Sequence, residues 1–458
     1  MANEEMKKFT TAQLLNFCLG FFGLQFAWQM RIILSGPVTE ALGASPLIFG
    51  LIWLAGPVTG IVVQPIIGAL SDVTQTPFGR RIPYLMGGAI LAAIGLFLLP
   101  RSGDIAGLFG ESAPVWLGLL IAAIMIWIID ACVNAAQGPY RALIPDNIPK
   151  EQHALANSYL SFAIGLGSVI AAGTAPFLKF AFGYDMSVNA QFTMAGLAFF
   201  LAMTWTCLTI KERKIKAEAA KENIEKEEKS SFIQNVKDFF KISPEVGKIC
   251  TMQFFSWIGL MSMMIFFTQY AVHTVFGVPD LNAAANVKDV YASEMVAGQY
   301  FSSVCFAVFN LVCFVVAIPI GKWAERRGNK FVHIIALSSM ALAYILMAFL
   351  PNKASVMSAM ALAGIGWAST LALPFAMLSK YIKEGTEGSV MGIFNIFIAA
   401  PQVLVCTLLA WYIDKAKFTA DNGMLNNHWE HAFLVGALML ILAAITASFV
   451  NEKKPENN

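Results

Sequence analysis

Residues 68–81 read GALSDVTQTPFGRR, and residues 321–330 read GKWAERRGNK. Each stretch ends a long apolar run. Each sets a glycine, an acid (Asp72, Glu325) and an arginine pair (Arg80 and Arg81; Arg326 and Arg327) in that order. Both stand where the second of six hydrophobic segments leaves for water. A charged stretch at the same point of two six-segment groups is the trace of a duplicated chain. Internal duplication of this kind is the architecture of secondary transporters.

The composition agrees. Of 458 residues, 57% are hydrophobic and 13% are charged, whereas a soluble chain carries about 25% charged residues. The apolar excess lies in runs of about 20 residues, long enough to cross a bilayer as helices. Hydropathy and charge punctuation predict twelve spans. The expected fold is an all-α polytopic membrane protein of twelve transmembrane helices in two pseudo-symmetric six-helix halves, 1–210 and 246–458. Between them, 211–245 reads KERKIKAEAAKENIEKEEKSSFIQNVKDFFKISPE. It is too polar to span and predicts a cytoplasmic linker. The beginning, MANEEMKKFTTAQ, lacks a signal-peptide cleavage pattern.

Lysine and arginine orient the chain. With both termini cytoplasmic, only Arg101, Lys179, Lys288, Lys353, Lys415 and Lys417 of the 31 Lys and Arg fall outside, as the positive-inside rule demands. A net charge of +2 argues against a nucleic-acid partner. The seven cysteines all fall in predicted spans and form no C-x-x-C or Cys/His cluster. Neither disulfide, metal nor cofactor is expected. His153, His333, His428 and His431 are placed near membrane surfaces, and His273 toward the outer end of the seventh span.

The chemistry concentrates in WIIDACVNAAQGPYRALIPD, residues 127–146. Asp130 is flanked on both sides by apolar residues. An ionised group at bilayer depth is expensive and is kept for a pathway, a proton relay or a pairing. Asn134 and Gln137 follow at i+4 and i+7 and share its helix face, which lipid would reject. Burial favours a neutral carboxyl, so Asp130 is expected to take and release a proton and, when protonated, to donate to substrate. Arg31 is the only basic residue inside a predicted span, and Asp130 is the one acid at comparable depth. Pairing would lower the cost of burying either, and a cation beside the carboxylate would hold it ionised until substrate or motion separates them. A second reading has Arg31 bind an anionic substrate, such as a uronide, bidentately.

Further residues carry a family resemblance. These are GLQFAWQM (23–30), WLAGPVTGIVVQPIIGALSD (53–72), the D-x-x-x-N-x-x-Q-G-P-x-R-A-L run (130–143) and ANSYLSF (156–162). With the G-x-x-x-D…G-R-R loop, they resemble the major facilitator superfamily, and within it the plant sucrose–proton symporters with their bacterial and animal relatives. GIGWASTLALPFAML (364–378) and MGIFNIFIAAPQV (391–403) resemble bacterial glucoside transporters of the same group. The resemblance spans nearly the whole chain. It implies a major facilitator fold and proton-coupled disaccharide uptake, such as of sucrose or maltose, by alternating access. It also implies an inner (plasma) membrane location in a bacterium and partners limited to sugar, protons and lipid, with the chain a monomer. Two positions depart from the plant pattern: Arg31, where those symporters carry an uncharged polar residue, and Gln269, where they carry an Asp.

A sugar site needs hydrogen-bonding groups and an aromatic face. The span-borne candidates in the first half are Gln25, Trp28, Gln29, Asn134, Gln137, Asn157 and Tyr159. In the second half they are Gln253, Trp257, Gln269, Asn310, Trp367, Asn395 and Gln402. Asp72, Arg80, Arg81, Arg141 and Asp146, with Glu325, Arg326 and Arg327, are expected at the cytoplasmic mouth, where charge pairs between the halves would gate the pathway. Prolines 37, 57, 65, 319, 374 and 401 are expected to bend helices. Other functions fare worse. A sodium site needs several oxygen ligands, and Asp130 is alone. The outer loops hold no catalytic set, so the chain is not expected to be an enzyme. The linker is too short for a sensor's output domain. A uniporter or exporter without proton coupling stays open.

Overall fold

The computed structural model describes residues 8–110, 114, 116–212, 239–284, 286–381, 387–420 and 423–452. Most of the expected linker, 213–238, lies outside the described residues. Twelve helices among the described residues are long and apolar enough to cross a membrane, and the protein is an integral membrane protein. Many large apolar side chains face outward, including Phe180, Ile318 and Leu208, as lipid requires and water would not.

The chain forms two compact units: Met1–Leu42 with Val58–Lys229, and Gly43–Pro57 with Ser230–Asn458. The division expected from hydropathy kept 43–57 in the first half; here that stretch belongs with the second unit.

Unit 1 begins with α1 (Thr11–Ala41). Thr10 caps it, taking the Gln13 N–H while the Gln13 side chain takes the Thr10 N–H, so two orphan donors are satisfied reciprocally. The second expected span is interrupted at Leu54 into α2 (Pro46–Trp53), in unit 2, and α3 (Ala55–Val73), which belongs to unit 1 from Val58 on. Pro57 explains the break. It has no N–H for the Trp53 carbonyl, and its ring crowds that carbonyl. Next come α4 (Ile82–Leu98), the short α5 (Ser102–Gly107), α6 (Leu117–Asn147), α7 (His153–Phe182) and α8 (Val188–Thr209).

Unit 2 continues with α9 (Pro244–Tyr270), which runs into a π-helical turn at Ala271–Val275. Then follow α10 (Val287–Val290), α11 (Ala292–Arg327), α12 (Asn329–Phe349) and α13 (Lys353–Ser379). After them, α14 (Glu387–Leu404) runs through a second π-helical turn (Val405–Leu409) into α15 (Ala410–Lys415). A small antiparallel ribbon, β1 (Lys417–Thr419) with β2 (Leu425–Asn427), pairs Lys417 with Asn427 and leads to α16 (His431–Ser448). Pro37, Pro65, Pro319, Pro374 and Pro401 all fall inside helices, as does Pro176.

The two units repeat one packing plan. In unit 1, α1 packs on α8 and α7, and α4 on α6 and α8; in unit 2, α9 packs on α16 and α14, and α12 on α13 and α16. The close approaches repeat too. A Cβ on Gly23 would fall 2.7 Å from the Ala198 carbonyl oxygen of α8, and one on Gly259 would fall 3.0 Å from that of Gly436 in α16. The core of unit 2 is aromatic: Tyr270 and Phe433 pack edge to face at 4.6 Å, and the Tyr270 hydroxyl donates to the Met347 carbonyl at 2.5 Å, which satisfies its polar end.

Candidate functional site

In unit 1, α1 and α6 bring Arg31 and Asp130 together. The guanidinium donates to the carboxylate, and each side chain is only 2% exposed. One turn on, Asn134 donates to the Asp130 carbonyl at 3.0 Å and to the Thr59 hydroxyl of α3 at 2.9 Å. Asp130 and its neighbour Asn134 thus link α6 to α1 and α3. Gln25 donates to Ser168 of α7 at 3.0 Å. Gln29 is buried, while Trp28 and Gln137 are partly exposed. Asn157 and Tyr159 stand on α7, where the exposed Asn157 donates to its own helix at His153.

In unit 2, Gln253 is fully buried, and neither end of its amide has a hydrogen-bond partner among the described residues. The indole N–H of Trp257, one turn further along α9, is likewise unpartnered. The Trp257 ring meets Trp367 of α13 edge to face at 5.9 Å, and Trp367 stacks on Phe309 at 6.5 Å. Such orphaned groups are uncommon and call for a reason, such as a ligand or ordered water. Gln269 is buried with its carbonyl oxygen unpartnered among the described residues. Asn310 and Gln402 donate to their own helices at Phe306 and Ile398, and Asn395 is exposed.

The arginines of GALSDVTQTPFGRR meet a dense set of acids. Arg81 donates to Asp146 at 2.5 Å, to Asp72 at 2.8 Å and to Ser71 at 3.0 Å. Arg80 contacts Asp146 at 2.7 Å and Glu212 at 3.6 Å. All these partners lie in unit 1 itself, whereas the sequence reading assigned these charges to pairs between the halves. Arg141 is exposed, its guanidinium 5.3 Å from the Phe21 ring centre.

Glu212, just past α8, was not among the sequence candidates. Its carboxylate takes the Arg81 N–H at 3.0 Å, capping the first turn of α4. It lies over Gly79, whose φ is +119°. Unit 2 repeats the device. Glu452, just past α16, takes the Lys330 N–H at 3.0 Å and the Asn329 N–H at 3.2 Å, over Gly328 with φ +91°. Lys380 donates to the same carboxylate at 2.7 Å. The repeat is thus aligned on the glycines. Asn329 and Lys330, rather than Arg326 and Arg327, stand where Arg80 and Arg81 stand. Glu325, Arg326 and Arg327 are exposed at the end of α11, with no ion pair among the described residues. His333, near the start of α12, is fully buried and bonded to Ser369 at 2.8 Å.

The profile of the Major Facilitator Superfamily matches residues 17–406 and, separately, 303–458. This chain belongs to the major facilitator superfamily. It is a membrane transporter rather than an enzyme. The chain is 27% identical to the sucrose transport protein SUT5 of Oryza sativa subsp. indica over 476 residues, covering 93% of this chain and 86% of that protein. It is 24% identical to the general alpha-glucoside permease of Schizosaccharomyces pombe over 525 residues, covering 96% and 94%. Among solved structures, its fold is similar to a D-xylose–proton symporter, with a TM-score of 0.64 at 15% identity over 97% of this chain and 99% of that one. The nucleoside transporter NupG gives a TM-score of 0.66 at 12% identity, over 97% and 100%.

Proposed function

We propose that this transporter is a proton-coupled symporter that takes up a disaccharide, such as sucrose or maltose, by alternating access of its two halves. The observation that carries the coupling is the buried Arg31–Asp130 pair. In that pair the guanidinium compensates the charge of the buried carboxylate. A proton arriving on it cancels the charge that Arg31 needs, so the pair loosens and the neutral acid gains an O–H to offer a sugar hydroxyl. Coupling then follows from electrostatics: the carboxyl is either paired with Arg31, or protonated and engaged with substrate.

The names of the relatives, sucrose transport protein and alpha-glucoside permease, support the sugar class. So does the pairing of orphaned amide and indole groups with stacked aromatics around Gln253, Trp257 and Trp367. Asp72, Arg80, Arg81 and Asp146, together with Glu212, are assigned to the cytoplasmic mouth. There they would lock the α3–α4 turn in one state of the cycle and release it in the other. Both termini are assigned to the cytoplasm and the working unit to a monomer in the inner (plasma) membrane.

The test of the substrate class is counterflow in proteoliposomes preloaded with unlabelled sucrose or maltose. Accumulation of labelled sucrose or maltose, with no competition from uronides, is the expected result. Competition by uronides alone would instead make Arg31 an anion receptor and overturn the disaccharide assignment.

A further inference from the structure

At the α15–α16 end of unit 2, away from the residues assigned to sugar and proton, three side chains converge: His428, Glu430 and His431. Their ligand atoms all lie within 4.8 Å of one another. We propose that they form a site for a divalent transition cation of the zinc or copper class.

The backbone explains the convergence. The ribbon ends at Asn427, whose side chain donates to the Ile413 carbonyl at 2.9 Å, and the His428 N–H donates to the Ala416 carbonyl at 2.8 Å. The connector is thereby tied to the end of α15. Trp429 turns inward: it is buried and stacks on His273 at 5.5 Å. With Trp429 inside, its neighbours His428 and Glu430 are left partly exposed, and the start of α16 brings His431 back beside His428. The two imidazoles lie face to face, 4.7 Å apart and 9° from parallel.

The Tyr412 hydroxyl meets His431 Nδ1 at 3.0 Å and orients that ring, as partners of this type do for metal-bound histidines. Glu430 lies 2.6 Å from His428 Nδ1, close enough for the carboxylate and that nitrogen to share one cation. In a tetrahedral zinc site with bonds of about 2.1 Å, ligand atoms stand about 3.4 Å apart. Rotations that close the widest separation by up to about 1.4 Å are enough, and water can complete the shell. Two nitrogens with one carboxylate favour zinc, copper or nickel over magnesium and calcium. The sequence argued against metal because its cysteines form no cluster; the H-x-E-H spacing of 428–431 does not depend on cysteine.

Calorimetric titration of the full-length transporter, purified with an affinity tag free of histidine, tests the site. Zn²⁺ and Cu²⁺ should each bind with one equivalent, and Mg²⁺ should not compete. His428→Asn and His431→Asn should each weaken binding by more than tenfold, and Tyr412→Phe by about tenfold through loss of its orienting contact. Each variant should keep the metal-free melting temperature of the parent, which separates lost ligation from lost folding. The Cu²⁺ electron paramagnetic resonance spectrum should show coupling to two nitrogens. Absence of a one-equivalent phase, its persistence in both histidine variants, or a spectrum without imidazole nitrogen would each overturn the proposal.

Discussion

The carboxylate of Glu212 occupies the space that a side chain on Gly79 would need. A Cβ built there would fall 2.2 Å from its Oε2. The glycine supplies the left-handed turn, and the glutamate closes the first turn of α4 through the Arg81 N–H. Gly79→Ala should therefore destabilise the protein by at least about 1–2 kcal/mol, the strain of left-handed backbone alone. A melting curve in detergent measures it. Gly328→Ala should act in the same direction but less, because its Cβ would stand 3.1 Å from Glu452.

Glu452 gives the fold a defined acid dependence. Burial pushes its carboxyl up. The N–H groups of Lys330 and Asn329 and the Lys380 ammonium act the other way, and the net position is below the ordinary carboxylate range. A depressed folded-state value contributes stability that is complete above the unfolded value of about 4.3. That stability is lost as pH falls through the lower, folded value. The melting difference between the parent and Glu452→Gln should be full at pH 7 and shrink below about pH 4. A difference that grew on acidification would refute the assignment.

The Arg31–Asp130 pair should behave as a unit. Removing one partner leaves an uncompensated buried charge, at a cost of about 3–5 kcal/mol. Arg31→Gln and Asp130→Asn should each lower the melting temperature, and the double variant should recover part of the loss. Additive losses in a double-mutant cycle would mean that the two charges are not coupled.

Trp257 offers a contrast between stability and binding. Its indole N–H has no partner among the described residues, so Trp257→Phe removes a donor that contributes nothing to the fold. Apo stability should fall by about 0.5–3 kcal/mol, the usual cost of a change that trims a packed ring. If the donor serves sugar, the KM for uptake should rise several-fold with kcat little changed. An unchanged KM would remove Trp257 from the sugar site.

How much of this was legible in the sequence depended on what each residue costs. A carboxylate and a guanidinium in apolar spans are too expensive to be accidental. Asp130 and Arg31 could be found, and their pairing expected, before any coordinates. Pro57 likewise marked a bend, although the interruption at the single residue Leu54 required the helix to be seen. Glu212 and Glu452 could not be found in this way. They sit beside charge-rich segments, where one more glutamate has no cost and no period. The alignment of the repeat failed for a related reason. Arginine pairs are conspicuous, but the turn is built by the positive-φ glycines, which shift the equivalence to Asn329 and Lys330. Asn157 stood in a matched stretch, yet its amide is used by its own helix. Partners distant in sequence are what composition and spacing carry least.

The central claim is that Asp130, released from Arg31, carries the proton. The most direct measurement is proton movement recorded with a pH dye trapped inside proteoliposomes when sucrose or maltose is added outside. The parent should acidify the interior on sugar addition. Asp130→Asn should still exchange labelled sugar across the membrane while moving no protons. Sugar-driven acidification of equal size in Asp130→Asn would contradict the account.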